Sequence, residues 1–357
     1  MLAMQEPIRV GVVGFGLAGR IFHTAVIEAT PGLELACVVE RSGNDAAKAY
    51  PSVKLARSIE EMLADVGIQL VVIATPSYSH YELAKQCLRE QRHVIVDKPF
   101  TLKSEEATEL IRMARERKRL LTVYQERRWD GDFKTVRQVI AGGELGRLVS
   151  YESHYDRFRA QPRRDVWRES GGPGGGTLFD LGPHLIDQAL TLFGQPDTIA
   201  ASVRVERDDA VVDDAWDLFL EYQRPHPATV TLRATLTACM PGPRYRLHGT
   251  RGSFVKFGID PQEDQLKAGM GFDLPGFGEE PESAWGELRI CGGEARRVRT
   301  QRGDYRGFYE NVRDTLLGKA ELDVKPEQAW RTTRLIELAR ESSAHGRRLR
   351  VDFSGQP

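Results

Sequence analysis

Hydrophobic residues in the first third of the chain alternate between two kinds of spacing. Short apolar runs, such as IRVGVVGFG, LELACVVE, IQLVVIATP and RHVIVDKP, are typical of buried strands. Between them lie stretches with helical spacing, including GRIFHTAVIEAT, HYELAKQCLREQ and SEEATELIRMARERK. Apolar strands that alternate with helices predict βαβ units and a parallel sheet covered on both faces. Residues 1–125 are therefore predicted to form a doubly wound α/β domain.

Beyond residue 125 the spacing changes to alternation of apolar and polar residues. The runs RLVSYESHYDRF, DTIAASVRVERD, AWDLFLEYQ, ATVTLRATLTA and RYRLHGTRGSFVKFG each read as a strand with one exposed face. Two helices are expected beside them, FDLGPHLIDQALTLFG and KPEQAWRTTRLIELARESSAHG. Residues 126–357 are therefore predicted to form an α+β domain with a large, mostly antiparallel sheet. Helices should cover one face of this sheet, and a partner subunit is a candidate cover for the other.

Composition agrees with a chain of two globular domains and excludes several classes of partner. A length of 357 residues is too great for one ordinary core, and 41% hydrophobic residues are enough for two. The mean hydropathy of −0.41, without an apolar run of about 18 residues, excludes a membrane span. A formal charge of −1, from 50 basic and 51 acidic residues, gives no reason to expect nucleic acid or a membrane surface as partner.

Cysteine usage and the N-terminus both favour a reducing compartment. The four cysteines are far apart and form no CxxC pair, so neither a disulfide nor a metal site is expected. The stretch MLAMQEPIRV lacks the basic and apolar regions of a secretory signal. Together these features predict a cytoplasmic protein.

A glycine-rich turn follows the first predicted strand and opens the first predicted helix. Gly14, Gly16 and Gly19 match the GxGxxG pattern, and their place in a βαβ unit raises its specificity. In a Rossmann fold such a turn holds the pyrophosphate of a dinucleotide against the helix N-terminus. The predicted cofactor contacts here are Gly14, Phe15, Gly16, Leu17, Ala18 and Gly19.

The end of the second predicted strand carries conflicting signals for NAD and NADP. Glu40 lies roughly 20 residues beyond the turn, where a carboxylate accepts the ribose hydroxyls of NAD. Arg41 and Ser42 follow at once and suit the 2′-phosphate of NADP. Glu40 favours NAD slightly, and the choice of cofactor stays open.

Further cofactor contacts are expected where other strands of the first sheet end. Thr75, Pro76 and Ser77 follow the third apolar run, and ligands bind at this edge of an open α/β sheet. A loop without ligand contact is the alternative. His80 and Asp97 also belong to the predicted cofactor-binding set.

Lys98 ends the next strand at the same edge and is a candidate for both cofactor binding and catalysis. Its ammonium is expected to face the crevice and to stabilise charge on a substrate oxygen. Asp180 and His184 are four residues apart across a predicted helix start, so their side chains can meet. A histidine is the usual proton acceptor when an alcohol is oxidised. Lys98, Asp180 and His184 are therefore the predicted catalytic residues, with Asp180 orienting the imidazole.

Five motifs, GFGLAGRIFH, ATPSYSHYELAKQCL, VDKPFT, RRWDGDF and FDLGPHLIDQ, resemble the glucose–fructose oxidoreductase / inositol dehydrogenase / MocA (Gfo/Idh/MocA) family over essentially the whole chain. The resemblance is closest to the branch of NADP-dependent scyllo-inositol dehydrogenases. It implies that Lys98, Asp180 and His184 form the active site, and that the second sheet forms a dimer or tetramer interface. The chain departs from the family pattern at Glu40, at Asp97 and at Glu126, where relatives often carry serine, glutamate and asparagine, respectively.

An arginine-rich stretch, HYDRFRAQPRRDVWRESGGPGGGT, is the candidate substrate-binding segment. Asp156, Arg157, Trp167 and Arg168 are predicted to line a pocket for a ring with many hydroxyl groups. A solvated basic loop anchored by the tryptophan is the alternative. The run GGPGGG is not a phosphate loop, because no Gly-Lys-Ser/Thr follows it.

These features predict an NAD(P)-dependent dehydrogenase that interconverts a secondary alcohol and a ketone of a cyclitol or sugar. A homodimer or homotetramer without a metal ion is expected. One alternative is a non-catalytic, dinucleotide-dependent sensor or co-repressor. The other is a reductase of a non-sugar substrate, since fold alone does not determine substrate.

Overall fold

The computed structural model describes residues 6–357, and two β-sheets organise them. The first sheet has six strands, β1 (Ile8–Val13), β2 (Leu33–Val39), β3 (Lys54–Ala56), β4 (Leu70–Ile73), β5 (His93–Asp97) and β6 (Leu121–Tyr124). Its order is β3-β2-β1-β4-β5-β6, and all of its strand pairs are parallel. The order reverses between β1 and β4, where the carboxyl ends of the strands leave a crevice for a ligand. The prediction of a doubly wound parallel sheet is confirmed.

Helices cover both faces of the first sheet. A π-helical run, Ala18–Thr24, continues directly into α1 (Ala25–Glu28). The other helices are α2 (Asp45–Ala49), α3 (Ile59–Leu63), α4 (His80–Arg89) and α5 (Ser104–Glu116). Ser58 caps α3, as the pattern SIEEMLAD indicates, because its hydroxyl accepts the backbone N–H of Glu61 at 3.2 Å. Strand residues such as Val12 and Val72 are completely buried, which explains the unbroken apolar runs.

The second sheet has nine strands and is mostly antiparallel, as predicted. They are β7 (Leu148–Asp156), β8 (Thr198–Arg204), β9 (Ala215–Tyr222), β10 (Ala228–Thr235), β11 (Tyr245–Gly249), β12 (Gly252–Lys256), β13 (Gly286–Ile290), β14 (Ala295–Val298) and β15 (Leu349–Arg350). Their order is β14-β13-β12-β11-β7-β10-β9-β8-β15, and the central pair β7–β10 runs parallel. The run RYRLHGTRGSFVKFG is a hairpin of β11 and β12, not one strand, because the chain turns at residues 250–251.

Six further helices follow β6 along the chain, α6 (Gly131–Ala141), α7 (Thr177–Asp180), α8 (Gly182–Phe193), α9 (Gln262–Lys267), α10 (Arg306–Leu316) and α11 (Pro326–His345). Of these, α9 and α10 pack against the helical segment that follows β1. The long helix α11 packs on β8 and α8, and β9 buries Trp216 and Leu218 on one face of the sheet. The opposite face of β9 carries Asp217, Phe219 and Glu221, which are partly or fully exposed. That this open face binds a partner subunit stays a prediction.

The last part of the chain returns to the first sheet. Helix α11 packs against α5, where Glu337 accepts the backbone N–H of Ser104 at 2.7 Å. Trp330 on the same helix donates to Thr108 at 2.9 Å. The division of the chain at residue 125 stays a prediction, but these contacts hold the two sheets together. Within residues 6–357, no helix is long and apolar enough to cross a bilayer.

Candidate active site

A cavity of about 930 Å³ lies at the carboxyl ends of the parallel strands and extends to the second sheet. Its wall combines the glycine turn after β1, the ends of β2, β4 and β5, and the start of α8. A volume of this size is typical of a site for a cofactor or small molecule. The cavity therefore joins the regions that the sequence singled out separately.

The glycine turn fits a dinucleotide, because its three glycines meet different requirements. Gly14 has a φ of +100°, and a Cβ there would lie 2.9 Å from the carbonyl oxygen of Ala74. A Cβ on Gly19 would overlap the carbonyl of Gly14, so that close approach needs a glycine. A Cβ on Gly16 would meet no heavy atom within 4 Å. The space beside Gly16 is thus open to the cavity, where the pyrophosphate of a dinucleotide would approach.

Glu40, which follows β2, has a structural role in the cavity wall. Its carboxylate accepts the backbone N–H groups of Asp45 and Ala46, at 3.3 and 3.1 Å, and so caps the start of α2. Arg41 and Ser42 are exposed and line the cavity beside it. The Glu40 carboxylate is therefore engaged by the backbone of α2. The side chains of Arg41 and Ser42, which suit a phosphate, are exposed in the same part of the cavity.

Lys98 and Asp180 meet in the cavity, although 82 residues separate them. Nζ of Lys98 donates to the backbone carbonyl of Asp180 at 2.8 Å and to its carboxylate at 3.2 Å. Nε of Arg168 lies 3.0 Å from the same carboxylate. Burial raises the pKa of Asp180, but the charges of Lys98 and Arg168 outweigh it and hold that pKa below its usual value. Asp180 is therefore a carboxylate that fixes the position of the Lys98 ammonium.

His184 lies at the start of α8, lines the cavity, and is only 3% exposed. Within residues 6–357 no hydrogen bond joins it to Asp180, so the orienting role predicted for that carboxylate has no support in the geometry. The nearest carboxylate oxygen in an ion-pair contact is Oε1 of Glu126, at 3.9 Å from Nδ1. Burial and the charges of Lys98 and Arg127 lower the pKa of His184 well below its usual value. The imidazole is thus neutral near pH 7 and able to accept a proton.

The predicted cofactor contacts at the ends of β4 and β5 divide into two groups. Thr75, Pro76 and Asp97 line the cavity, whereas Ser77 and His80 are buried beside it. The two ring nitrogens of His80 lie 2.8 Å from the carbonyl oxygen of Pro99 and 2.9 Å from that of Thr75. His80 therefore braces the two strand ends that carry the contact residues.

Asp97 shapes the end of β5 in addition to lining the cavity. Its carboxylate accepts the backbone N–H of Lys98 at 2.8 Å and lies 3.9 Å from Nε2 of His23. Burial raises the pKa of Asp97, but His23 and Lys98 reverse this effect and lower it. The charged form of Asp97 is thus held in place directly beside Lys98.

Three of the four predicted substrate contacts line the cavity, and the fourth points elsewhere. Arg157, Trp167 and Arg168 are part of the wall. Asp156 instead accepts the backbone N–H of Gly242 at 2.9 Å, because successive side chains at the end of β7 alternate between opposite faces. The strand thus directs Arg157 to the cavity and Asp156 away from it.

Part of the arginine-rich segment is folded around an acidic residue. The carboxylate of Glu169 lies within 3.0 Å of Arg159, Arg163 and Arg207. Arg157 forms no ion pair among residues 6–357, and its guanidinium stacks on the ring of Tyr155 at 4.8 Å. The donors of Arg157 are therefore available to a ligand in the cavity.

Several residues of the wall were not predicted as contacts. They come from the end of β3, the end of β6 and the short turn after it, the end of β7 and the segment that follows it, and helix α9. They include Arg57, Tyr124, Arg127, Tyr155, Arg159, Arg163 and Glu263. Arg127 lies in the turn that follows the buried strand β6, and this position was a usable signal, as the end of β5 was for Lys98. Glu263 had none, because the tertiary fold alone brings α9 to the cavity. Within residues 6–357, no group of His, Cys, Asp or Glu is arranged to hold a metal ion.

The fold and the cavity define a dinucleotide-binding oxidoreductase. A family model for the NAD-binding Rossmann fold of an oxidoreductase family matches residues 8–125. The model for the C-terminal alpha/beta domain of the same family matches residues 137–352. The chain therefore belongs to the Gfo/Idh/MocA oxidoreductase family, which confirms the resemblance drawn from its motifs.

Individual relatives match the chain over nearly its full length. The uncharacterized oxidoreductase YdgJ of Escherichia coli (strain K12) is 41% identical over 96% of this chain and 98% of its own. The enzyme named scyllo-inositol 2-dehydrogenase (NADP(+)) IolW, from Bacillus subtilis (strain 168), is 34% identical over 97% of each chain. A solved oxidoreductase structure from Yersinia pestis superposes with a TM-score of 0.92, at 37% identity over 99% of each chain. The prediction of an NAD(P)-dependent dehydrogenase is confirmed at this level of family and cofactor class.

Proposed function

We propose that this protein is an NADP-dependent dehydrogenase that interconverts a secondary alcohol and a ketone on a cyclitol or a sugar. The observation that carries the proposal is that Lys98, His184 and the glycine turn all line one cavity. A relative similar over 97% of the chain is named as an NADP-dependent scyllo-inositol dehydrogenase, which supports the substrate class. The arginine and tryptophan side chains of the wall suit a ring with many hydroxyl groups.

The proposed mechanism assigns separate tasks to the side chains of the cavity. Lys98, fixed by Asp180 at 3.2 Å, donates a hydrogen bond to the oxygen of the reacting carbon and stabilises its developing negative charge. His184 accepts the hydroxyl proton when the alcohol is oxidised and returns it when the ketone is reduced. A bound dinucleotide supplies the hydride acceptor, the C4 atom of the nicotinamide ring. Proton and hydride thus leave the substrate towards different partners.

The preference for NADP follows from the environment of Glu40. The capping contacts to α2 compensate its charge, so its carboxylate is a weaker acceptor for ribose hydroxyls. Arg41 and Ser42 remain exposed in the cavity, and Arg57 donates to the carbonyls of Glu40 and Gly43 at 3.0 and 2.6 Å. A guanidinium and a hydroxyl beside the ribose suit a 2′-phosphate.

A turnover assay with matched substrates tests this proposal. Purified protein is incubated with inositols, pyranoses and their keto forms, each with NAD and with NADP, and formation or loss of reduced nicotinamide is followed by absorbance. We expect turnover with at least one cyclitol or sugar and a higher kcat/KM with NADP than with NAD. Dinucleotide binding without turnover of any substrate would favour a non-catalytic, dinucleotide-dependent sensor or co-repressor. Turnover confined to ketones or enones outside the sugar class would favour the non-sugar reductase.

A further inference from the structure

Glu126 and His184 face each other inside the cavity wall, and each has a buried polar atom that makes no hydrogen bond to the part of the chain that the structure describes. Glu126 follows β6 at the carboxyl edge of the first sheet, and its side chain is 4% exposed. Its Oε1 atom lies 3.9 Å from Nδ1 of His184. Within residues 6–357, Oε2 of Glu126 and Nδ1 of His184 are buried and make no hydrogen bond. Buried polar atoms of this kind require an explanation, because a lost hydrogen bond is costly in the protein interior.

Asp180, the carboxylate four residues before His184, makes no hydrogen bond to the imidazole within residues 6–357. Asp180 is occupied by the ammonium of Lys98 at 3.2 Å and by the guanidinium of Arg168 at 3.0 Å. The contact between Glu126 and His184 is longer than a hydrogen bond, but such contacts are often long before a ligand binds and shorten in the complex. Both residues line the same cavity, so a ligand that binds there can change the distance between them.

We propose that Glu126 is the positioning residue for His184 in the dehydrogenase reaction, a role that rests on the proposed function. The ionised carboxylate accepts the Nδ1–H of His184, which leaves the lone pair of Nε2 free for the substrate. On oxidation, the hydroxyl proton would pass to Nε2. The carbon that bears this hydroxyl would lose its hydrogen as a hydride, with the electron pair of the C–H bond, to a bound nicotinamide, and the C–O bond would become C=O. The imidazolium that forms is then stabilised by the Glu126 carboxylate, which itself stays ionised.

The charges around the pair determine its dependence on pH. Burial raises the pKa of Glu126 to about 7, although the charges of Arg127 and Lys98 oppose this rise. The titratable or charged groups that face the pair from the neighbouring elements are Asp97, Lys98, Tyr124, Arg127, Arg157, Arg244 and Tyr305. Below pH 7 Glu126 is mostly protonated and is no longer an acceptor, so alcohol oxidation should increase as the pH rises through about 7. The pKa of His184 is well below its usual value of 6.5, so protonation of His184 does not cause the rise in activity near pH 7.

The first experiment observes the His184 ring without cofactor or substrate. Two-dimensional ¹⁵N NMR of the full chain reports which ring nitrogen carries the proton, and the spectrum of His184→Asn assigns the signal among the eight histidines. Above the pKa of Glu126 we expect the Nδ1–H form in the wild type, because the charge of a carboxylate 3.9 Å from Nδ1 favours this tautomer even before a ligand shortens the contact. Glu126→Leu has no such charge and should lose this preference. The same tautomer in both proteins would overturn the proposal, whatever substrate the enzyme uses.

The second experiment measures pH profiles of alcohol oxidation for the wild type and for Glu126→Gln, which keeps the size of the side chain. In Glu126→Gln we expect kcat to fall about 10- to 100-fold with little change in KM. The rise in activity near pH 7 should disappear. A matched control is Glu152→Gln, because Glu152 lies 3.7 Å from His154 outside this cavity. The control should keep the wild-type profile. A rise in activity near pH 7 that persists in Glu126→Gln would overturn the role of Glu126. A wild type without turnover would reject the proposed function, and the NMR experiment alone would then decide whether Glu126 binds His184.

Discussion

A methyl group added at Gly16 tests the dinucleotide site with little disturbance of the fold. In the structure the Cβ of an alanine at this position would meet no heavy atom within 4 Å. Gly16 is not among the glycines with positive φ, so alanine fits its backbone. Because alanine also restricts the unfolded chain, Gly16→Ala should leave the free energy of unfolding unchanged or raise it by up to about 1 kcal/mol.

The same methyl group should weaken dinucleotide binding, because it occupies the space through which the pyrophosphate approaches the backbone. Forcing one extra methyl into a packed contact costs about 1–3 kcal/mol. Since 1.4 kcal/mol corresponds to a tenfold change in Kd, binding should weaken by about 5- to 150-fold. The predicted signature is therefore a large loss of affinity in a protein of normal stability.

Isothermal titration with NADP and with NAD measures the affinity, and thermal unfolding without ligand measures the stability. Gly19→Ala is the matched control, because its Cβ would overlap the carbonyl of Gly14 and should lower Tm. An unchanged Kd in a fully folded Gly16→Ala protein would refute the assignment of this turn to the pyrophosphate. A lowered Tm in that variant would contradict the open space that the structure shows beside Gly16.

Three further substitutions test other parts of the molecule. Lys98→Ala should lower kcat about 100- to 1,000-fold in steady-state assays, since it removes a donor to the reacting oxygen, and a variant with most of its turnover would contradict that role. Arg41→Ala should lower kcat/KM about 10- to 100-fold with NADP and little with NAD, because a charged hydrogen bond to the 2′-phosphate is lost. Equal losses with both dinucleotides would argue against a phosphate contact. Asp187→Asn should lower the free energy of unfolding by about 3–5 kcal/mol in urea titrations. The reason is that Arg128, whose guanidinium lies 2.6 Å from the Asp187 carboxylate, would remain buried and charged without it. A loss below about 1 kcal/mol would show that this ion pair adds little to stability.

The sequence by itself determined the first sheet and its ligand-binding edge. Apolar runs with β-branched residues, separated by helical spacing, have few alternatives to buried parallel strands. The glycine turn was also readable, because its location between a strand and a helix restricts what such a turn does. Lys98 was found for a related reason, since the residue after a parallel strand lies at the edge where ligands bind.

The second sheet was less readable from the sequence. Alternation identified β7, β9 and β10, but the parallel pairing of β7 with β10 depends on a long connection that no local pattern encodes. Helices α9 and α10 were missed, although α9 supplies part of the cavity wall. Helix α9 has only six residues, too few for helical spacing to stand out from a loop. Helix α10 has 11 residues and buries Phe308, Tyr309 and Val312, so its spacing was a usable signal.

Only the tertiary structure decided which charged groups are partners. Asp180 is four residues from His184 in sequence, yet it binds Lys98, which lies 82 residues away, and the imidazole faces Glu126 instead. Glu40 likewise lines the cavity, but its carboxylate accepts the backbone N–H groups at the start of α2. The physical reason is that local spacing fixes the path of the backbone, whereas the partner of a charge is fixed by whichever element the fold packs against it.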